Sequence, residues 1–346
     1  MSAKKAAGNS AKMVNLALQG GGAHGAFTWG VLDHLLEDGR IGIEAISGTS
    51  AGAMNAVVVA DGIMKGGPEG ARQALEDFWQ AVSREGAKSP IQRSLVNVFM
   101  GDWSLDTSPG FLFFDHLTRL VSPYQLNPLD LNPLRDLLEA QVDFDRVAAC
   151  DKMKLFISAT NVHTGRVRVF TCSEITPDVV MASACLPLMF QAVEIDGVPY
   201  WDGGYMGNPA LFPFFNSSAS SDIVLVQINP IERKTTPRTT REIVNRVNEI
   251  SFNSSLLKEL RAIEFVARLI DQGKLDPSDY KEVLLHRIEA GEEILALSAS
   301  TKLNAEWAFL VHLRDIGREA ARRWLDRHFD IIGKKSSVDI RTFFAG

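Results

Sequence analysis

The chain has 346 residues, a length that suits roughly two average domains or one large α/β domain with an appendage. Hydrophobic residues make up 46% and charged residues 23% of the sequence, a balance that excludes wholesale disorder, collagen and coiled-coil architectures. The formal net charge of −6 argues against a dedicated nucleic-acid-binding protein, because such proteins usually carry a basic stripe.

Three cysteines, Cys150, Cys172 and Cys185, form no Cys-x-x-Cys pair. The sequence therefore predicts no disulfide framework and no zinc site, and it favours a reducing, cytoplasmic compartment. The polar residues 1–12 are interpreted as a disordered leader rather than a secretory signal. No run of about 18 apolar residues occurs, so no membrane-spanning segment is predicted, and adsorption to a membrane surface stays open.

The first part of the chain alternates strands and helices. Residues 14–19 form an apolar run that predicts a buried strand, and a helical pattern follows from Ala26 to a stop at Gly39. Residues 43–47 predict a second strand, after which small and apolar residues predict a buried helix. This order is typical of an α/β protein with a parallel sheet.

Residues 69–82 have a helical pattern, but the character changes over residues 83–132. Four prolines and six aromatic residues lie within this segment, a fifth proline, Pro133, follows it directly, and no regular period is recognisable. Such a long, broken, apolar segment is often a lid or a binding surface. An inserted helical subdomain with its own small core is an equally good interpretation.

Regular structure returns after residue 150. Residues 154–162 and 164–170 predict two paired strands, and 176–187 predict a short helix. Residues 192–204 predict a hairpin that turns at Asp-Gly, and 222–229 predict another buried strand.

The last third of the chain is predicted to be helical. A polar linker with four basic residues, from Glu232 to Arg241, precedes helical patterns over 241–271, 279–291 and 302–330.

A glycine-bounded serine follows the second strand. The sequence Gly48-Thr49-Ser50-Ala51-Gly52 fits G-x-S-x-G, in which a nucleophilic serine occupies a sharp strand-to-helix turn. The helix N-terminus there favours developing negative charge. The alternative is a glycine-rich turn with an incidental serine.

A glycine loop, Gly20-Gly21-Gly22-Ala23-His24-Gly25, follows the first strand. A P-loop would need Gly-Lys-Ser/Thr, which is missing. A dinucleotide fingerprint fits the glycine spacing, with Glu44 as the acidic residue. An oxyanion hole would use the same backbone N–H groups, and the adjacent serine turn favours this third interpretation because parallel strands place both loops at one sheet edge.

A serine nucleophile needs a base. Seven histidines occur, none in a context that marks a triad base, and His24 is too close to the oxyanion position. The alternative is a carboxylate: Asp202 ends a predicted strand and is followed by Gly203 and Gly204. An ordinary Asp-Gly turn, as at Asp196, is the competing interpretation.

Taken together, these motifs resemble the patatin-like phospholipase family. The resemblance rests on the glycine loop through Gly25, the serine turn at Ser50, and Asp202-Gly203-Gly204 followed by Asn-Pro, in that order. It covers about residues 14–229, and residues 182–190 resemble the family's block between serine and aspartate. The C-terminal helical part looks like an extension found in a bacterial subgroup.

The resemblance implies a three-layer α/β/α sandwich related to cytosolic phospholipase A2. It implies a Ser-Asp dyad, with Ser50 as nucleophile and Asp202 as proton acceptor, and the N–H groups of Gly20, Gly21 and Gly22 as the oxyanion hole. No metal or cofactor is implied. Gln19 and His24 depart from common family residues, and a neutral His24 would weaken positive charge beside the oxyanion hole.

The predicted organisation is a leader at 1–12, a patatin-like catalytic domain at 13–230 with a lid or insert at 83–132, and a helical extension at 231–346. The predicted function is hydrolysis of phospholipid, lysophospholipid or neutral acyl esters through an acyl-enzyme intermediate. An acyltransferase using the same dyad and a catalytically silent lipid-binding protein remain alternatives. An acyl-ester lipid is the predicted partner; peripheral membrane contact and homo-oligomerisation stay open.

Overall fold

A computed structural model describes residues 11–344 of the protein. Most of the predicted leader, residues 1–10, lies outside this described part. Within it, one mixed sheet lies between two layers of helices, which confirms the predicted three-layer α/β/α architecture.

The sheet has eight strands within the described residues. They are β1 (Lys12–Leu18), β2 (Ile41–Gly48), β3 (Lys154–Asn161), β4 (Val167–Thr171), β5 (Val193–Ile195), β6 (Val198–Asp202), β7 (Asp222–Gln227) and β8 (Leu284–Glu289). β3, β2, β1, β7 and β8 run parallel in that order. β4 and β6 are antiparallel to β3, and β5 is antiparallel to β6.

The α-helices of the described residues are α1 (Gly25–Asp38), α2 (Ala51–Gly86), α3 (Leu95–Met100), α4 (Pro109–Leu120), α5 (Pro123–Leu126), α6 (Pro133–Gln141), α7 (Phe144–Ala148), α8 (Pro177–Ser183), α9 (Pro213–Ser217), α10 (Thr240–Asp271), α11 (Glu292–Leu295) and α12 (Trp307–His328). α2 contains the predicted helix at 69–82 as its second part. A break at Gly66 and Gly67, just before Pro68, separates it from the first part.

Two hydrophobic cores lie on opposite faces of the sheet. Val14, Leu16 and Leu18 of β1 face one core with α1, α2 and α12, whereas Ala17 faces the other core with α10. Because successive strand residues point to opposite faces, a strand buried on both sides reads as one apolar run. This explains why residues 14–19 have no alternating pattern.

The C-terminal part is built into this sheet. The predicted helix at 279–291 is wrong, because residues 284–289 form β8 and pair in parallel with β7. α10 and α12 confirm the other helical predictions, and α12 packs along α1. Residues 231–344 thus share a sheet and both cores with the rest of the described chain, and the boundary at 230 stays a prediction.

The broken apolar segment at 83–132 consists of the end of α2 and three short helices, α3, α4 and α5. Pro109 and Pro123 begin α4 and α5, where a proline needs no N–H partner. No helix among residues 11–344 is both long and apolar enough to cross a bilayer.

Candidate active site

Ser50 occupies the tight turn between β2 and α2. Its backbone has φ 54° and ψ −122°, a conformation that is strained for a residue with a side chain and is found chiefly at functional sites. The flanking glycines make the turn possible, since a Cβ on Gly48 would lie 2.6 Å from the Gly52 carbonyl oxygen, and one on Gly52 would lie 2.3 Å from that of Leu18. Ser50 itself stays partly exposed, and its N–H donates to Ser183 Oγ at 2.9 Å.

The register of β3 explains why Asp202 reaches this turn. β2 pairs with β3 up to Ile157 and ends there at Gly48. β6 then pairs with β3 from Asn161 back to Ala159, where Asp202 ends the strand. β4 pairs with β3 opposite both β2 and β6. β2 and β6 therefore lie on the same edge of β3, and β6 begins to pair where β2 has ended. Ile157 and Ala159 are roughly 7 Å apart along a strand, so Asp202 and the serine turn meet.

The carboxyl group of Asp202 is buried, with 1% of the residue exposed. Its Oδ1 accepts the N–H of Gly204 at 2.7 Å. Gly203 is required, because a Cβ there would lie 2.1 Å from the Ser158 carbonyl oxygen. A Cβ on Gly204 would lie 1.9 Å from the Phe252 ring, which would have to move. The chain can therefore turn tightly around the carboxyl group.

Burial raises the pKa of Asp202 to about 7. The Gly204 N–H, the Ser50 hydroxyl that hydrogen-bonds to this carboxyl group, and the charge of Lys302 each lower the pKa, but by less than burial raises it. A carboxylate is ordinarily too weak a base to activate a serine hydroxyl. A pKa near the working pH is what an effective general base requires.

The glycine loop passes directly beside the serine turn. A Cβ on Gly20 would lie 2.8 Å from Ser50 Cβ, and one on Gly25 would lie 2.6 Å from Ala51 Cβ. Gly22 has φ +59°, and a Cβ on it would lie 2.5 Å from the Lys302 carbonyl oxygen. Only glycine allows these approaches.

The three predicted oxyanion donors differ in their surroundings. The Gly20 N–H already donates to Asn208 Oδ1 at 2.8 Å, so that bond would have to break before Gly20 could bind an oxyanion. Within residues 11–344, the N–H groups of Gly21 and Gly22 donate to no protein acceptor. Of the three predicted donors, these two are available.

A buried polar network behind the loop was missed by sequence reasoning. Gln19 Oε1 accepts the N–H groups of Ile228 and Asn229, both at 2.9 Å. Asn229 Nδ2 donates to the Gly20 carbonyl oxygen at 2.7 Å. Gln19 Nε2 also contacts Asn253 Oδ1 on α10 at 3.3 Å. The only sequence signal was a polar residue at the end of each of two apolar strands.

His24 is 4% exposed and is held by a contact of 2.7 Å between its Nε2 and Thr301 Oγ1. Burial, and to a lesser extent the charge of Lys302, lower its pKa to about 3. The imidazole is therefore neutral at physiological pH and adds no positive charge beside the glycine loop.

Glu44 has a structural role that argues against the dinucleotide interpretation. Its carboxylate accepts the N–H groups of Ala219 and Ser220 at 2.5 and 2.8 Å, so it is occupied by backbone rather than free for a ribose. Within residues 11–344, no group of three His, Cys, Asp or Glu side chains is arranged to hold a metal ion.

One family model matches the part of the chain that contains these residues. The family model described as patatin-like phospholipase matches residues 16–215, which contain the glycine loop, Ser50 and Asp202. None of the curated proteins matches the chain.

Several solved bacterial proteins are similar at low identity. VipD from Legionella pneumophila is 17% identical, with a TM-score of 0.44, over 92% of this chain and 67% of that one. ExoU from Pseudomonas aeruginosa, in its complex with SpcU, is 19% identical, with a TM-score of 0.31, over 97% of this chain and 66% of that one. In other ExoU structures this chain spans about half of the solved chain's length.

The family model covers 200 of the 346 residues, from Leu16 to Phe215. That is more than half of the chain, and it contains every residue of the serine turn and of the Asp202 loop. The chain therefore belongs to the patatin-like phospholipase family.

Proposed function

We propose that this protein hydrolyses carboxylic esters of acyl lipids, with Ser50 as nucleophile and Asp202 as general base. The observation that carries the proposal is the meeting of a strained, partly exposed serine with a buried carboxyl group whose pKa is raised to about 7. Family membership supports lipid hydrolysis in general, and the dyad is the more specific part of the proposal.

In the first step, Ser50 Oγ attacks the ester carbonyl carbon while its proton passes to the Asp202 carboxylate. The carbonyl oxygen becomes an alkoxide that the N–H groups of Gly21 and Gly22 stabilise. Such a donor typically contributes about 2.7–4 kcal/mol. The bond to the alcohol then breaks, and Asp202 returns the proton to the departing oxygen.

The second step removes the acyl group from Ser50. A water molecule gives a proton to Asp202 and attacks the acyl carbon, and the resulting alkoxide uses the same N–H groups. When this intermediate collapses, the proton returns to Ser50 Oγ and the fatty acid leaves. The products are one carboxylic acid and one alcohol or lysolipid, and the free enzyme is restored.

An exposed apolar surface supports contact with a lipid aggregate. Leu95 and Phe99 of α3 are 87% and 90% exposed, and Val96, Val98 and Met100 of the same helix are also exposed. Large exposed apolar patches of this kind mark membrane or protein contacts. We include peripheral attachment to a lipid surface through α3 in the proposed function.

α3 is connected to the catalytic loops through the residues that follow it. The N–H of Leu105 donates to Ser300 Oγ at 3.0 Å. Ser300 lies two residues before Lys302, whose carbonyl oxygen packs on Gly22. A lipid surface that contacts α3 would thus lie on the part of the molecule that also supports the glycine loop.

The basic linker contributes less to such contact than its sequence indicates. Arg233 pairs with Glu249 at 2.6 Å, and Arg241 pairs with Asp106 at 3.0 Å. Each of these two guanidinium groups already has a carboxylate partner, so a headgroup would have to compete with that carboxylate.

The proposal is tested by comparing the wild type, Ser50→Ala and Asp202→Asn on p-nitrophenyl esters of increasing chain length and on phosphatidylcholine vesicles, with fatty-acid release measured by mass spectrometry. Asp196→Asn is the matched control, because Asp196 also precedes a glycine in a turn but lies at the exposed end of the β5–β6 hairpin. Both site variants should lose turnover while the control keeps it.

Two outcomes would contradict the proposal. Near wild-type turnover in Asp202→Asn would exclude the dyad. Absence of turnover in the wild type on every ester, together with vesicle binding that Ser50→Ala leaves unchanged, would favour a catalytically silent lipid-binding protein. Products of acyl transfer to an added alcohol would instead identify an acyltransferase with the same site.

A further inference from the structure

Lys302 lies in a short 3₁₀ segment, Ala299–Leu303, between α11 and α12. This segment is far outside the residues that the family model matches, yet it packs on the glycine loop. The Lys302 carbonyl oxygen occupies the place that a Cβ on Gly22 would need, at 2.5 Å. The neighbouring Thr301 contacts His24 Nε2 at 2.7 Å.

The ammonium group of Lys302 is connected to the loop through one side chain. Its Nζ donates to Asn229 Oδ1 at 2.8 Å, and Asn229 Nδ2 donates to the Gly20 carbonyl oxygen at 2.7 Å. The cation is therefore two hydrogen bonds away from the glycine that touches Ser50. A movement of Lys302 would therefore also displace the glycine loop, which presents the oxyanion donors.

The charge of Lys302 is not cancelled by a close carboxylate. Within residues 11–344, no carboxylate oxygen lies within 4.0 Å of its Nζ. The nearby Glu249 is bound by Arg233 at 2.6 Å and by Arg246 at 3.0 Å. Because His24 is neutral, it adds no positive charge to the glycine loop, whereas the side chain of Lys302 is linked to that loop through Asn229.

Resting on the proposed function, we propose that Lys302 is a positioning residue of the active site: through Asn229 it holds the glycine loop, and its positive charge favours the ionised form of Asp202 and the oxyanion. In support, the attraction of Lys302 lowers the pKa of Asp202, and the attraction of Asp202 raises that of Lys302. Burial lowers the pKa of Lys302, whereas the attraction of Glu249 and of Asp202 raises it.

The charge predicts a change in pH dependence that a purely structural role would not produce. Lys302→Gln keeps an N–H donor for Asn229 but removes the charge. We expect the acid limb of the kcat/KM profile to move to higher pH by roughly one unit, because a nearby opposite charge stabilises the carboxylate. At pH 7 we expect kcat/KM to fall about fivefold, since fewer molecules carry the ionised base.

Three further variants make the result specific. Lys302→Arg keeps the charge and should keep the wild-type acid limb. Asn229→Ala breaks the link but leaves the charge, so it should lower kcat without moving the acid limb. Lys274→Gln removes an exposed lysine from the same C-terminal part and should change neither.

The inference and the proposed function can fail separately. If Ser50→Ala is inactive while Lys302→Gln has the wild-type rate and acid limb, the role of Lys302 is refuted and the dyad stands. If Lys302→Gln does not fold, Lys302→Arg decides, because an arginine variant that folds but has a shifted acid limb contradicts the role of the charge. If Ser50→Ala stays active, the proposed function itself is wrong.

Discussion

Replacing Asp202 by Asn should stabilise the folded protein at the same time as it removes the proposed base. The carboxyl group is 1% exposed, and burial raises its pKa from 3.8 to about 7. Ionising this group therefore costs free energy in the native state, whereas the same ionisation in the unfolded chain has no such cost. An asparagine side chain keeps the oxygen that accepts the Gly204 N–H and carries no charge.

The size of the effect follows from proton linkage. Between pH 3.8 and about 7 the native protein binds this proton more tightly than the unfolded chain does, so the free energy of unfolding falls as the pH rises through that interval. Below pH 3.8 ionisation of Asp202 does not lower the free energy of unfolding, and above pH 7 the lowering has reached its full value. The free energy of unfolding is lowered by about 2 kcal/mol at pH 5 and by about 4 kcal/mol at pH 8.

The measurement is urea unfolding of the wild type and Asp202→Asn at pH 5 and pH 8, with Asp196→Asn as the exposed control. Asp202→Asn should raise the urea midpoint at both values, and by more at pH 8, with an unchanged m-value. An Asp202→Asn protein that is less stable than the wild type at pH 8, or equally stabilised at both values, would show that the buried carboxyl group does not titrate as described.

The acid limb of kcat/KM should have an apparent pKa near 7, because only ionised Asp202 accepts the serine proton; a rate that stays flat down to pH 5 would contradict this base. Gly22→Ala should abolish turnover, since it adds a contact of 2.5 Å with the Lys302 carbonyl oxygen to the strain at φ +59°. Gly39→Ala has a similar φ of +71° but open space around it, so it should only lose about 1 kcal/mol of stability; equal activity in both variants would refute the steric argument. Replacing Leu95 and Phe99 by Ser should weaken sedimentation with phosphatidylcholine vesicles several-fold and leave hydrolysis of a soluble short-chain ester unchanged; unaltered vesicle binding would exclude α3 as the attachment surface.

Local signals were sufficient for the serine turn and most of the sheet. Glycines at Gly48 and Gly52 predict a tight turn because backbone atoms approach them within 3 Å, and the hairpin turns at Asp196 and Gly197 with positive φ at both residues, as an Asp-Gly pair favours. Periodicity failed at 279–291, because a run of six residues such as Leu284–Glu289 fits either a strand or a helix. Pairing with β7, some 60 residues earlier, decides the outcome.

The polar residues that hold the glycine loop could not be predicted from the sequence, because their contacts also join distant parts of the chain. Gln19 meets Asn229 and Asn253 across more than 200 residues of sequence, and Lys302 meets Asn229 across 73. Each of these residues alone is an ordinary polar side chain. Only the fold shows that they share one polar cluster beside the glycine loop.

The parallel pairing of β8 with β7 has a practical consequence for the design of shorter fragments of this chain. β7 is buried along its whole length because β1 lies on one side and β8 on the other. A fragment that ends near residue 215 or 230 would omit β7 or leave it as an apolar strand with unpaired N–H and C=O groups, which is the arrangement that promotes edge-to-edge aggregation. If such a fragment is insoluble, the cause would therefore be the loss of the neighbouring strand, and the result would not show that residues 16–215 are unable to adopt their native conformation.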